Sequence, residues 1–147
     1  MSRNFPEQAK PAEVNHSLSG VVVDLDNTIA LHSPGLDYKD AAPNEPLIER
    51  LRELQSKSIP VVIHTSRGMR SREGNTDRIR LEVVPGILQW LKIHNVPFNE
   101  LVVGKPWPGP SGLYIDDRAI RPNECVSSSW EHLLALVGSS WKQRQSS

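Results

Sequence analysis

Reactive and polar side chains follow four short apolar runs of this chain, and their types are those that phosphoryl transfer with a divalent metal needs. A carboxylate pair follows the first run, a hydroxyl pair the second, a lysine the third and another carboxylate pair the fourth. These side chains are Asp24 and Asp26, Thr65 and Ser66, Lys105, and Asp116 and Asp117. A carboxylate can attack phosphorus, a second acid can move a proton, and hard oxygen ligands suit Mg²⁺.

The apolar runs themselves predict the strands that position these groups. They are Val21–Val23, Pro60–Ile63, Leu101–Val103 and Leu113–Ile115. Continuous apolar runs bounded by turn residues are typical of strands buried on both faces, as in a parallel sheet. Ligands of open parallel sheets bind at the carboxyl ends of the strands, so we expect the four sets of polar groups to converge there.

Helical patterns alternate with these strands. Three helices are predicted: one with Asn44 as N-cap and Pro46 in its first turn, one started or kinked by Pro85, and one opening at Ser128. A polar segment rich in arginine, residues 67–78, is predicted to be a loop. The alternation predicts an α/β fold, a three-layer sandwich with a central parallel sheet between helices.

Length and composition bound the class of protein. A chain of 147 residues suits one domain, expected over residues 19–138, with a flexible arm over 1–18 and a flexible tail over 139–147. The formal net charge of zero argues against binding of long polyanions such as nucleic acid. One cysteine, Cys125, and the absence of a long apolar run indicate a cytoplasmic protein without a membrane partner.

Each polar signal has an ordinary structural explanation when it is taken alone. Asp24 and Asp26 can cap a turn, Lys105 can be a solvated charge, and the last acid pair can be balanced by neighbouring arginines. Four such signals in order, each at a strand end, favour a site over chance. Asn27 stands where the chain must bend sharply, so we expect it to take a left-handed conformation.

The chain resembles the haloacid dehalogenase superfamily of phosphatases over residues 20 to about 126. The resemblance lies in motifs one to four of that superfamily, which correspond to Asp24–Thr28, Thr65–Ser66, Lys105 and Asp116–Asp117. Asn27 is a departure, because many members have glycine there. Longer stretches resemble the small capless capsular-polysaccharide biosynthesis phosphatases of that superfamily. These stretches are Thr65–Arg70, Glu73–Asn75, Val103–Trp107 and Tyr114–Pro122. The implied fold is Rossmann-like without a cap domain.

The resemblance implies a role for each polar group and Mg²⁺ as cofactor. Asp24 is implied as the nucleophile, Asp26 as the general acid and base, and Lys105 as the cation that steadies the charge. Thr65, with Ser66 and the following Arg67, is implied to hold phosphate. Metal ligands are implied at Asp24, at the backbone carbonyl of Asp26, and at Asp117, with Asp116 orienting Lys105 or a metal-bound water.

Substrate clues lie outside these motifs. The loop after the first motif is too short for a cap, so we expect an open site that admits a bulky substrate or that a second subunit covers. The expected substrate is a small phosphorylated molecule, a phosphosugar or sugar precursor of capsule or surface polysaccharide. The segment from Arg67 to Arg80 is the candidate for specificity. His32, Tyr38 and Trp107 are candidates for sugar contact or for packing. The alternatives are a nucleotide or nucleic-acid-end phosphatase and a non-catalytic binding module on the same fold.

Overall fold

A computed structural model describes residues 18–138 in two compact units. The first unit is Gly20–Tyr114, and the described part of the second comprises residues 18–19 and 115–138. The predicted arm and tail lie outside the described residues, apart from position 18. No helix in this described stretch combines the length and apolarity needed to cross a lipid bilayer.

The first unit contains short strands and three helices. Its strands are β1 (Val21–Val23), β2 (Ala30–Leu31), β3 (Ala42–Pro43), β4 (Val61–Thr65) and β5 (Glu100–Val103). Its helices are α1 (Glu45–Ser56), α2 (Thr76–Glu82) and α3 (Val84–Ile93), with a 3-10 turn at Tyr38–Asp40. The second unit contains α4 (Pro122–Ser127) and α5 (Trp130–Gly138).

Three of the strands form a parallel sheet in the order β1-β4-β5. The register pairs Val21 with Val61 on one side of β4 and Thr65 with Val103 on the other. Helices connect the successive parallel strands and flank the sheet, which confirms the predicted α/β class and fits a small Rossmann-like sandwich. Burial on both faces was predicted for each strand, but Val22 of the edge strand β1 is 70% exposed.

Helix α1 forms as its sequence predicts. Asn44 is its N-cap, with the side-chain oxygen accepting from the backbone N–H of Leu47, and Pro46 stands in the first turn. The apolar side chains at helical spacing are all buried, namely Leu47, Ile48, Leu51 and Leu54. Asn44 also donates its amide hydrogen to the carbonyl of Thr28, and therefore ties the helix start to the turn after β1.

The loop in the arginine-rich segment is shorter than predicted. Asn75 accepts a hydrogen bond from the backbone N–H of Arg78, so α2 begins at Thr76, inside the range predicted to be irregular. An Asn three residues before a free N–H is an ordinary N-cap, which the sequence prediction overlooked. Pro85 lies in the first turn of α3 and starts that helix rather than kinking it.

The predicted fourth strand, Leu113–Ile115, is wrong. These residues form no ladder in the described chain, and Leu113 and Ile115 are 83% and 99% exposed. The boundary between the two units falls between Tyr114 and Ile115, within this apolar run. An apolar run forms a strand only where a neighbouring strand supplies hydrogen-bond partners, and periodicity cannot show whether one is present.

The second unit contains two short helices, and a side chain caps the N-terminal end of each. The Glu124 carboxylate accepts from the backbone N–H of Arg121 before α4, a helix that the sequence reasoning did not predict. The last helix, α5, was predicted to open at Ser128, but Ser129 is the residue whose hydroxyl accepts from the backbone N–H of His132. Gly138, predicted to follow the helix, is its last residue.

Candidate functional site

A tight turn after β1 presents the first two candidate acids. The carbonyl of Leu25, a fully buried residue, accepts hydrogen bonds from the backbone N–H groups of Thr28, Ile29 and Ala30. Asn27 has a φ of 61°, which confirms the expected left-handed conformation. The turn therefore reverses the chain directly beyond Asp24 while the apolar side chains on either side remain in the core.

Asp24 is contacted by one cation and one hydroxyl. Lys105 Nζ lies 3.3 Å from Asp24 Oδ1, and Thr28 Oγ1 donates to Asp24 Oδ2 at 3.2 Å. The side chain of Asp24 keeps 34% of its surface exposed, so a small molecule can reach the carboxylate. An ionised carboxylate paired with an ammonium group is favoured electrostatically, and both contacts fix its orientation.

The position of Lys105 follows from the end of β5. Its backbone N–H donates to the carbonyl of Thr65 at 3.2 Å, which extends the β4–β5 pairing past the last ladder residue. Gly104 before it has a φ of +91°, and a Cβ there would lie 3.2 Å from Thr76 Cγ2. A side chain at this position would be strained and crowded, so glycine is what allows the chain to turn toward Asp24.

Tyr114 adds an aromatic ring beside the lysine. Lys105 Nζ lies 4.5 Å from the centre of the Tyr114 ring, and the Tyr114 hydroxyl donates to the carbonyl of Pro106 at 2.6 Å. A cation over a ring face is attracted by the ring quadrupole. Sequence reasoning had assigned Tyr114 to a strand and gave no signal of this contact.

The end of β4 supplies the hydroxyl pair and an arginine. Thr65 is buried, and its Oγ1 accepts from the backbone N–H of Arg67 at 3.0 Å. Ser66 is half-buried, and its carbonyl accepts from the backbone N–H of Met69. The hydroxyl hydrogen of Thr65 can still be donated to a ligand, because the oxygen acts as the acceptor in the contact with Arg67.

Arg67 contacts the second acid of the turn, not open solvent. Arg67 Nε donates to Asp26 Oδ2 at 3.1 Å and Nη2 to Asp26 Oδ1 at 2.6 Å, a two-point ion pair. Its side chain is 7% exposed. The guanidinium that was predicted to bind phosphate is therefore bound to Asp26 here, and no feature of the sequence linked these two residues.

An aromatic stack covers the same guanidinium. Arg67 Cζ lies 4.1 Å from the centre of the Tyr38 ring, and the His32 ring stacks on Tyr38 with centroids 4.5 Å apart. His32 Nε2 is 2.9 Å from the carbonyl oxygen of Leu36, which closes the loop between β2 and the 3-10 turn. His32 and Tyr38, predicted to contact a sugar or to pack, thus pack on Arg67 and on each other.

Most other arginines of the predicted specificity segment are paired on the surface. Arg72 and Arg78 both bind Glu82, and Arg80 binds Asp77. The hydrogen bonds from Arg78 and then Arg72 hold the pKa of the Glu82 carboxyl below its usual value. Arg70 differs, because its guanidinium carbon lies 5.6 Å from the Trp107 ring centre.

The last acid pair belongs to the second unit. Asp116 Oδ1 accepts from the backbone N–H of Arg118 at 2.8 Å, and both Asp116 and Asp117 are exposed. The first unit alone brings together Asp24, Asp26, Thr65, Arg67 and Lys105. No group of three or more His, Cys, Asp or Glu side chains arranged to hold a metal ion occurs within residues 18–138.

A surface cavity lies at the other end of the sheet. It is lined by Gln55, Ser58, Ile59, Val61, Pro97, Phe98 and Asn99, which precede or begin β4 and β5. Asp24 and Lys105 follow the carboxyl ends of their strands. The cavity is thus separate from the candidate chemistry.

Comparison with known proteins identifies a solved structure to which this chain is similar. No protein-family model matches this chain, and no curated protein matches it either. The chain is similar to the crystal structure of an MCSG target from Vibrio cholerae, with 41% sequence identity and a TM-score of 0.78. The match covers 82% of this chain and 98% of that chain, so the likeness extends over nearly the whole of the Vibrio cholerae protein.

Proposed function

We propose that this chain, which belongs to the same protein family as the Vibrio cholerae protein, is a Mg²⁺-dependent phosphomonoesterase of the haloacid dehalogenase superfamily. The observation that carries the proposal is the Asp24 carboxylate, partly exposed at a strand end and held between Lys105 Nζ at 3.3 Å and the Thr28 hydroxyl at 3.2 Å. A carboxylate in this setting is fixed in orientation and reachable from solvent, as a nucleophile must be.

The first chemical step uses both acids of the turn. A carboxylate oxygen of Asp24 attacks phosphorus, the bond from phosphorus to the ester oxygen breaks, and Asp26 gives a proton to that leaving oxygen. The Lys105 ammonium, already beside Asp24, offsets negative charge on the transferring group. The product of this step is an aspartyl phosphate on Asp24.

The second step returns the chain to its starting state. Asp26, now a carboxylate, takes a proton from water as the water oxygen attacks phosphorus, and the bond to Asp24 breaks. Inorganic phosphate leaves, Asp24 is again a carboxylate, and Asp26 again carries the proton that it gave up in the first step. The Thr65 hydroxyl and the half-buried Ser66 would hold the non-bridging oxygens during both steps.

The oxygen donors of this chain fit Mg²⁺. In the first unit, Asp24 offers a partly exposed carboxylate and Asp26 a backbone carbonyl, both hard oxygen ligands. The exposed acids Asp116 and Asp117 of the second unit are ligands of the same type. When bound, Mg²⁺ would supply positive charge that offsets the negative charge of the phosphoryl oxygens.

The substrate class that we propose is a phosphosugar of surface polysaccharide. The Tyr114 ring lies beside Lys105, the cation that contacts Asp24, and Tyr114 is 54% exposed. A ring of this kind suits the apolar face of a sugar. A nucleic-acid-end substrate is less favoured, because Arg72, Arg78 and Arg80 are paired with acids of this chain. We further propose a cytoplasmic location, since Cys125 is the sole cysteine, and a homo-oligomer that covers the open site.

Hydrolysis of an aryl phosphate by the purified chain with Mg²⁺ tests the activity. Asp24→Asn should lower kcat by roughly 10⁴-fold or more, the scale on which loss of a nucleophile acts in other hydrolases. Asp40→Asn is the matched control, because Asp40 is an exposed acid of the following loop, and it should leave kcat unchanged. Equal activity of Asp24→Asn and the unmodified chain would overturn the proposed function.

A substrate panel tests the chemical class. Phosphosugars, nucleotides and 5′- or 3′-phosphorylated oligonucleotides are compared by kcat/KM under one condition of salt and Mg²⁺. The proposal expects the highest kcat/KM for a phosphosugar. A clear preference for phosphorylated oligonucleotide ends would replace the sugar assignment with the nucleic-acid-end alternative.

A further inference from the structure

The ion pair between Arg67 and Asp26 is unusual because a guanidinium is almost fully buried to make it. Arg67 is 7% exposed, whereas the Asp26 side chain is 25% exposed. A buried charge is costly unless its partner geometry is good. Here the two donated hydrogen bonds, at 3.1 and 2.6 Å, meet the two oxygens of one carboxylate. Such a fork fixes the plane of the carboxylate as well as its position.

The arginine is itself fixed from two sides. Its backbone N–H is bound by Thr65 Oγ1, and the face of its guanidinium lies 4.1 Å from the Tyr38 ring centre. Tyr38 in turn is stacked on His32, whose Nε2 contacts the Leu36 carbonyl oxygen. Tyr38 belongs to the loop between β2 and β3, so this loop is connected to Asp26 through the Tyr38 ring and the Arg67 guanidinium.

We propose that Arg67 and Tyr38 are positioning residues for Asp26, an inference that rests on the proposed function. In the second step the Asp26 carboxylate takes a proton only if its oxygen lies within hydrogen-bond reach of the attacking water, so an orientation error at Asp26 slows this step. Arg67 sets that orientation through its two hydrogen bonds, and Tyr38 keeps the guanidinium in the plane that allows both.

This role differs from phosphate binding in a measurable way. A phosphate ligand contributes to substrate affinity, so its loss raises KM. A residue that orients the general base contributes to the chemical step, so its loss lowers kcat with little change in KM. Two of the three guanidinium nitrogens of Arg67 already bind Asp26, which favours the second behaviour.

Steady-state hydrolysis of an aryl phosphate by full-length variants tests the proposal. Tyr38→Leu removes the ring and should lower kcat by about threefold to 30-fold, the range expected for a lost cation–π contact. Tyr38→Phe keeps the ring face and should retain kcat within about twofold. Arg67→Lys keeps the charge but not the fork and should lower kcat by about tenfold or more, with KM within about twofold.

Lys39→Ala is the matched control in the same 3-10 turn, where Lys39 is exposed, and it should behave like the unmodified chain. Circular dichroism and thermal melting of each variant identify any that fails to fold. A Tyr38→Leu chain that folds with unchanged kcat overturns the proposal. A rise in KM at unchanged kcat in Arg67→Lys overturns it in favour of phosphate binding.

A second measurement separates this inference from the proposed function. The side-chain Nε–H of Arg67 in a ¹⁵N NMR spectrum should be protected from exchange in the unmodified chain and lose that protection in Asp26→Asn. An unmodified chain that hydrolyses no phosphate ester, while showing this protected signal, overturns the proposed function and this positioning role together. Hydrolysis by the unmodified chain without a protected Arg67 signal overturns the positioning role alone.

Discussion

Thr28 donates its hydroxyl hydrogen to Asp24 Oδ2, and this single contact predicts a graded effect on catalysis. Thr28→Val removes the donor at nearly constant shape, so kcat for an aryl phosphate should fall by about twofold to 12-fold, the range for one lost hydrogen bond. Thr28→Ser keeps the hydroxyl and should restore most of that loss. Equal kcat in the valine and serine variants would show that the hydroxyl does not orient Asp24.

At the scale of single residues, sequence could predict which groups follow strand ends but not how they pair. Asp24, Thr65 and Lys105 were predictable because each directly follows an apolar run or the glycine that ends one. The pairing of Arg67 with Asp26 was not, because contact between residues far apart in sequence depends on the register of β1 against β4. The roles assigned to these residues stay predictions.

The pairing of β4 with β5 has a side-chain clamp at its amino end. Asn99 Oδ1 accepts from the backbone N–H of Val61, while the backbone N–H of Asn99 donates to the Val61 carbonyl. Asn99→Ala leaves one backbone donor without its partner and should lower the free energy of unfolding by about 1–3 kcal/mol. Asn99→Asp keeps an acceptor oxygen and should lose less. Urea unfolding measures both variants.

Phosphatase activity should distinguish the Asn99 contact, at the amino ends of β4 and β5, from the candidate site at the carboxyl ends of these strands. Asn99→Ala should keep kcat for an aryl phosphate near that of the unmodified chain at a temperature where both are folded, because Lys105 is held by its own bond to the Thr65 carbonyl. A large loss of kcat without a loss of stability would contradict this separation.

At the scale of elements, the sequence predicted a helix correctly where several local signals agreed. Where an apolar run was the single signal, the absence of a neighbouring strand in the described part of the chain decided the structure. Helix α1 formed where the Asn44 cap, Pro46 and the apolar spacing all agreed. The run at Leu113–Ile115 had the apolar signal alone and no strand beside it, so it formed no ladder. Helix α2 was missed because its cap lies inside a polar segment that lacks apolar periodicity.

For the molecule as a whole, the contrast between a buried and an exposed apolar run predicts uneven hydrogen exchange. The backbone amides of β4 are paired with strands on both sides, whereas residues 113–115 form no ladder. Amides 113–115 should therefore exchange far faster than those of Val61–Thr65. Slow exchange at 113–115 that becomes fast on dilution would show instead that a second copy of the chain covers this run.

The buried indole of Trp90 offers a spectroscopic view of the loop that carries Tyr38. Its Nε1–H donates to the carbonyl of Ala41, the residue directly after the 3-10 turn, and its ring is 4% exposed. A shielded indole emits at shorter wavelength than one in water. Trp107, Trp130 and Trp141 also emit, so the measurement requires a chain in which these three are replaced by phenylalanine. In that chain, any displacement of the loop when a substrate arrives should redden and weaken the emission of Trp90, which then acts as a fluorescent reporter of loop movement.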